Sequence, residues 1–248
     1  MRRRTREAWA DGWTSEVTSG LALAGFLALV LGAFTLLAMG PLTRIDAYFN
    51  LAPAPGRWLP LLTVLDRIGQ RAVCLPILAV VVLYVVRRSG SLRPAVVAAG
   101  AVVLLNLVVL VLKVGFGRSF PLTADPSFFT GGMAYPSGHA ANVILVYGLI
   151  PFLLARYLGP RRWRDAVLWT VVAFLSTVMV MVSLNLNWHW FADLVAGLIV
   201  GAIVLQIVEA VDRAVPRAAH PIDHRAQLWQ WWAGARAGWR RLSERRRG

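Results

Sequence analysis

Cysteine and lysine are almost missing from this chain, and acidic residues are few. Of 248 residues, one is cysteine (Cys74), one is lysine (Lys113) and 12 are Asp or Glu. A single cysteine excludes a disulfide framework and a thiolate metal cluster, and its place inside an apolar run makes it a packing residue. The sparse carboxylates form no cluster suited to a hard cation, so no metal and no cofactor are expected. Basic residues are not scarce: they number 26 and give a formal net charge of +14. In a soluble protein that excess would suggest nucleic acid. Here the arginines gather at the ends of apolar runs and in the two terminal stretches, which is the pattern of membrane topology and anionic headgroups, and nucleic-acid binding is set aside.

What the chain has in quantity is apolar side chain. It is 58% hydrophobic with a mean hydropathy of +0.60, beyond an ordinary soluble domain of this length. Several uncharged runs approach or exceed the roughly 20 residues needed to cross a bilayer. Six spans are expected, at about 19–39, 72–86, 94–112, 140–155, 166–187 and 190–211. The second is short and contains Pro76. Between the first two lies a mixed segment, 41–71, that holds Arg44, Asp46, Arg57, Asp66, Arg67 and Arg71 and is expected to lie partly along the interface. There is no internal repeat and no second domain.

Residues 1–16 read as a retained basic cytoplasmic tail, 17–213 as a six-helix membrane domain, and 214–248 as a basic tail rich in Trp and Arg. Within that last tail Leu228, Trp231, Trp232, Ala235, Trp239 and Leu242 recur at helical spacing, which predicts an amphipathic helix on the cytoplasmic membrane surface. His220 and His224 are four apart in the polar linker before it, but they lack a third ligand and are not read as a metal site. In a six-span topology both tails and the arginine-rich turns at 87–93 and 156–164 share one side. The positive-inside rule makes that side the cytoplasm. The other face holds the segment 41–71, the loop 113–139 and the junction at His189, so chemistry is expected there, facing outward from what reads as a bacterial inner membrane.

Two short stretches carry that chemistry. In Tyr135-Pro136-Ser137-Gly138-His139, Pro136 sets a turn, Ser137 is a good helix N-cap and Gly138 permits close approach to the backbone. A helix N-terminus with free N–H donors suits an anion, phosphate above all, and His139 would sit beside it. In His189-Trp190-Phe191-Ala192-Asp193, a span opening at Trp190 would put His189 and Asp193 one helical turn apart on one face. A carboxylate there holds one ring nitrogen and leaves the other as a nucleophile. The chain crosses the membrane twice between His139 and His189, so both return to one face. Lys113 and Arg118 join them at the end of the third span as donors for phosphate oxygens.

With these residues in place, the chain resembles the type 2 phosphatidic acid phosphatase superfamily, integral-membrane lipid phosphatases related to vanadium haloperoxidases. The second family motif is complete in Pro136-Ser137-Gly138-His139. The third is kept in His189 and Asp193 with Ala196-Gly197 behind them, and the first in Lys113, Gly117, Arg118 and Pro121. Two motif arginines are absent: Phe120 stands before Pro121, and Ser183 stands six residues before His189. Each missing charge-assisted bond is worth about 1.5–3 kcal/mol.

The resemblance implies an all-α membrane protein of six helices that hydrolyses a lipid phosphate or diphosphate without a metal. The implied substrates are of the polyprenyl diphosphate, phosphatidic acid or phosphatidylglycerol phosphate type. It also implies that His189 is the nucleophile, oriented by Asp193, and that His139 protonates the leaving group and then activates water. Lys113, Arg118, Ser137 and Gly138 would hold the phosphoryl oxygens. The alternatives are a lipid-linked phosphotransferase that uses the same site, and a non-catalytic module that binds lipid phosphate.

Overall fold

The computed structural model describes residues 15–50 and 54–215, and among these the regular structure is entirely helical. The helices are α1 (Ser15–Ala38), α2 (Thr43–Phe49), α3 (Leu59–Asp66), α4 (Arg71–Ser89), α5 (Arg93–Phe116), α6 (Gly138–Leu158), α7 (Arg162–Asn185) and α8 (Phe191–Ala214). All but the short α2 and α3 are long and apolar enough to cross a membrane. At ~1.5 Å per residue the 24 residues of α5 reach about 36 Å, more than the ~30 Å of hydrocarbon to be crossed. Large apolar side chains on the periphery, such as Phe26, Leu29, Val80 and Phe174, are left exposed where lipid would cover them. The protein is an all-α integral membrane protein.

The six spans fall where hydropathy puts them, with three local differences. α4 runs through Pro76 to Ser89 and is longer than the expected 72–86. Proline there removes one N–H donor near the helix start, too small a loss to end a helix whose apolar faces are packed. Gly90, in the left-handed region at φ 68°, closes α4 with an N–H to the Val86 carbonyl at 2.9 Å. α6 begins at Gly138 and widens into a π-helical stretch at Val143–Tyr147 before Pro151, whose ring has no room for an ordinary carbonyl four residues back. The segment 41–71 folds as α2, α3 and a 3₁₀ turn at Arg67–Gly69. The basic tails, the C-terminal amphipathic helix and the pair His220 and His224 lie outside the described residues, apart from Ser15 and Glu16, which open α1.

α8 forms the centre of the bundle because two glycines let it approach its neighbour closely. Gly197 and Gly201 form a Gly-x-x-x-Gly stripe on the side facing α6. A Cβ on Gly201 would come 2.6 Å from the Ala141 carbonyl oxygen, and one on Gly197 would overlap the Ser137 carbonyl. Without a hydrophobic drive between helices in lipid, such backbone contact is a main source of association. Here it also fixes the height of Ser137 against α8. At the far end Asp212 of α8 accepts from Arg93 Nε of α5 (2.6 Å), Arg156 Nε of α6 (2.9 Å) and Tyr157 Oη of α6 (2.8 Å), tying three helices at the arginine-rich face.

Gly197→Val is expected to lower the denaturation midpoint of detergent-purified protein, at a cost of about 1–3 kcal/mol from overpacking. Thermal unfolding beside the parent chain checks this, and an unchanged midpoint would contradict the close approach of α6 and α8.

Candidate active site

The start of α6 is a capped turn with an open approach. Tyr135–Pro136 is a cis peptide bond, and Ser137 follows in extended geometry (φ −66°, ψ 120°) as N-cap, its Oγ accepting the Ala140 N–H at 3.4 Å. The Ser137 N–H is spent on the Asp193 carbonyl (2.9 Å), which joins the α6 start to α8. Beside Gly138 there is open space where a Cβ would point, so the turn stays accessible from outside. Tyr135 is fully buried and reaches α1, its hydroxyl 2.6 Å from Thr35 Oγ1. Thr35 already gives its proton to the Leu31 carbonyl, so Tyr135 is the donor; burial pushes its own pKa up to about 12.

His189 lies just ahead of the helix that carries Asp193, which opens one residue later than the expected Trp190. Trp190 is the N-cap, in extended geometry (φ −68°, ψ 156°), and α8 begins at Phe191. The turn nevertheless folds His189 back over the first turn of α8: Asp193 Oδ2 accepts the Trp190 N–H at 2.9 Å and lies 3.4 Å from His189 Nδ1. The carboxylate thus caps its own helix and faces the imidazole at once, leaving Nε2 for chemistry. Trp190 is pinned through its indole N–H to the Ser119 carbonyl at 2.9 Å.

Arg118 occupies a different place from the one expected of a phosphate ligand. Its side chain is wholly buried behind the histidine, and all three nitrogens are engaged. Nη1 meets Asp193 Oδ1 at 2.7 Å, Nη2 pairs with Asp46 Oδ2 of α2, and Nε donates to the Pro126 carbonyl at 3.1 Å. The Asp46 Oδ1 accepts the Ala192 N–H at 2.8 Å, so the same carboxylate also caps α8. Burial holds the Asp46 carboxyl above its ordinary range against the pull of Arg118. The guanidinium plane lies over Phe128, 4.6 Å from the ring centre. The physical reason for the departure is the path of the loop after α5. Gly117 turns left-handed (φ 49°), and the backbone then doubles back so that Gly132 packs on the Arg118 carbonyl with no room for a side chain. That fold points Arg118 inward.

The other expected residues meet at the open end. Lys113, in the last turn of α5, donates to the Met133 carbonyl, and its charge acts on Asp193 and His139. His139 has 27% of its side chain exposed and His189 only 9%, so the first is reached from outside and the second is recessed. Phe120 is half-exposed, its ring centre 6.5 Å from that of His189, so an aromatic wall stands beside that ring. Ser183 is fully buried and its hydroxyl has no partner among the described residues. Sequence reasoning missed two residues: Asp46, and Asp66 at the end of α3, whose Oδ2 lies 3.7 Å from His139 Nε2. The signal for both was present. Each is a carboxylate among apolar residues next to membrane spans, where charge is expensive and usually functional. Burial also holds Asp66 above the ordinary carboxyl range, outweighing the opposite pull of His139 and of Gln70, whose amide is 3.4 Å away. Among the described residues no group of three or more His, Cys, Asp or Glu is placed to hold a metal ion.

Two histidines at a phosphate-shaped helix start, one backed by a buried carboxylate, define a membrane-embedded phosphatase-type fold. Residues 94–214, which hold the whole set from Lys113 to Asp193, match the model of the PAP2 superfamily. A solved structure, described as that of the first transmembrane PAP2-type phosphatidylglycerolphosphate phosphatase from Bacillus subtilis, is similar in fold. Its TM-score is 0.61 at 18% identity, and the match covers 82% of this chain and 99% of that one. No curated protein matches the chain.

Arg118→Met would leave Asp46 and Asp193 buried without a counter-charge. We expect a loss of about 3–5 kcal/mol in stability, with Arg118→Lys intermediate because a single ammonium serves two carboxylates poorly. Denaturation midpoints of the two variants check it; a stable methionine variant would contradict the paired burial.

Proposed function

We propose that the protein hydrolyses a membrane lipid phosphate or diphosphate through a phosphohistidine on His189. The observation that carries this reading is the convergence of His139, the α6 start and the Asp193-backed His189 at one end of the bundle. Nε2 of His189 attacks phosphorus, the bond from phosphorus to the ester oxygen breaks, and the departing oxygen takes a proton from His139. Water then adds to phosphorus while His139 takes its proton. The P–N bond breaks, releasing phosphate and restoring both histidines. Ser137 and the Gly138 N–H at the helix start bear on the phosphoryl oxygens together with Lys113.

Arg118 serves this site from behind, fixing Asp193 and through it the tautomer of His189. Arg71 opens α4, is exposed, has no ion pair among the described residues, and is one of the charges that face His139. It is the cation best situated to offset the missing motif arginines. The substrate class is a greasy phosphate of the polyprenyl diphosphate, phosphatidic acid or phosphatidylglycerol phosphate type. The last of these is favoured by the fold likeness to the Bacillus subtilis phosphatidylglycerolphosphate phosphatase. The arginines at the Asp212 end favour a site facing outward from a cell membrane.

Phe120 favours a second reading. An apolar ring beside the nucleophile in place of a cation suits an organic acceptor better than water alone, which would make the protein a lipid-linked phosphotransferase. Phosphate release that requires an added alcohol or lipid hydroxyl distinguishes the two.

Detergent-purified protein is expected to release inorganic phosphate from phosphatidic acid, phosphatidylglycerol phosphate or a prenyl diphosphate. His189→Ala should lose this activity entirely, and an alkaline denaturing quench of the parent chain should trap a phosphoenzyme that is stable to base and labile to acid. Turnover by the His189→Ala protein would defeat the assignment. Arg71→Ala is expected to raise KM by roughly tenfold, the worth of one charge-assisted phosphate contact; an unchanged KM would remove Arg71 from the pocket.

A further inference from the structure

His189 has its carboxylate in the family motif, but His139 has none there. Asp66 stands in that position in space. It comes from α3, outside the stretch 94–214 that carries the motifs, and its side chain is fully buried with Oδ2 3.7 Å from His139 Nε2. That separation is ion-pair range rather than a hydrogen bond, as is common for acid–base partners before substrate tightens the site.

Three further observations show that the chain is built to hold this carboxylate under the ring. The 3₁₀ turn that follows it is fastened to α6, with Asn142 Nδ2 donating to the Gly69 carbonyl at 3.0 Å and Tyr147 Oη to the Ile68 carbonyl at 3.0 Å. Gly69 is packed so closely that a Cβ would come 2.8 Å from His139 Cβ and 2.7 Å from Met179 Sδ, so only glycine allows the turn to sit there. Finally, Asp66 Oδ1 has no hydrogen-bond partner among the described residues. A buried carboxylate oxygen left unpaired is costly, and a purely structural anchor would be better served by an amide or an apolar side chain.

We propose that Asp66 is the positioning residue of His139, so that the site holds two histidine–carboxylate pairs, one for the nucleophile and one for the acid–base. The proposal rests on the reading that His139 protonates the leaving group. The charged and titratable groups that face His139 are Asp66 from α3, Arg71 from α4, Lys113 from α5 and His189 ahead of α8. Asp66 is the sole anion in that set. The two cations destabilise an imidazolium, and the carboxylate opposes them. Removing the carboxylate lowers the pKa of His139. The alkaline limb of kcat/KM, which reports loss of the acid form in free enzyme, therefore moves to lower pH. Burial of Asp66 works in the other direction at the acid end: its carboxyl protonates above the ordinary range, so the pair loses its anion earlier as pH falls.

The test compares leaving groups. Dioctanoyl phosphatidic acid releases an alkoxide that needs a proton, whereas 4-nitrophenyl phosphate releases a nitrophenolate that does not. For Asp66→Asn we expect kcat/KM on the alkyl ester to fall by about tenfold or more, a part of the ~10²–10⁴ that general acid catalysis supplies. The aryl ester should be little changed, and the alkaline limb should shift to lower pH on the alkyl ester alone. Asp66→Glu should recover part of the loss. In a His139→Gln background, Asp66→Asn should cost nothing further.

Equal losses on both esters, or an unmoved limb, would assign Asp66 a merely structural role and overturn the proposal. So would failure of both Asp66→Asn and the smaller Asp66→Ser to fold. If instead His139→Gln itself fails to discriminate between the esters, the acid role of His139 is what fails. Discrimination by the His139 variant with a parent-like Asp66→Asn removes Asp66 alone.

Discussion

The buried guanidinium of Arg118 is what the rest of the site hangs on. It joins Asp46 of α2 to Asp193 of α8, and all three side chains are without solvent exposure. Taking three charges out of water is expensive, and the cost is met only because nearly every oxygen and nitrogen has a directed partner. Asp46 takes the Ala192 N–H, Asp193 takes the Trp190 N–H, and Arg118 reaches the Pro126 carbonyl. The arrangement leaves one edge of Asp193 for the imidazole of His189. Such a network tolerates few positions for its members, so it fixes the nucleophile more tightly than a free side chain at a membrane surface.

That fixed point is transmitted to the start of α6 through backbone. Asp193 receives the Ser137 N–H on its carbonyl and, four residues along, Gly197 lets α8 touch the Ser137 carbonyl. The helix start and the nucleophile are therefore set by one stretch of α8, and His139 follows because it is the second residue of α6. On the opposite side, the turn at Arg67–Gly69 presses Asp66 beneath His139 through backbone carbonyls held by Asn142 and Tyr147. The short helices α2 and α3, which cross nothing, thus supply Asp46, which holds Arg118 behind the Asp193–His189 pair, and Asp66, which lies beside His139.

The replacement of two motif arginines changes the electrostatics of the pocket. Phe120 turns one wall beside His189 apolar, and Ser183 is fully buried. Under the proposed function, the groups left to neutralise a phosphoryl group are Lys113, the helix start and the exposed Arg71. Aromatic rings, Phe120 beside His189 and Trp188 with its centre 6.4 Å from that of His139, take up the space instead. A site lined in this way favours a substrate whose organic part sits close to phosphorus.

Membrane class, six spans and the pairing of His139 with His189 were legible in the sequence. Hydropathy is a property of residues rather than of their arrangement, and an even number of crossings returns two loops to one face. The helix start at Ser137 was legible for a similar reason: a cap is local chemistry within four residues. Only the tertiary structure decided the fate of Arg118, because whether a guanidinium points at substrate or at a carboxylate depends on how the loop after Gly117 folds back, and that is set by contacts far along the chain. The same holds for Asp46 and Asp66, whose partners lie 146 and 73 residues away. As letters they were two acids in a mixed segment. Packing against α6 and α8 placed them behind the histidines, since a charge expelled from lipid and denied water settles only where an opposite charge or a proton already waits.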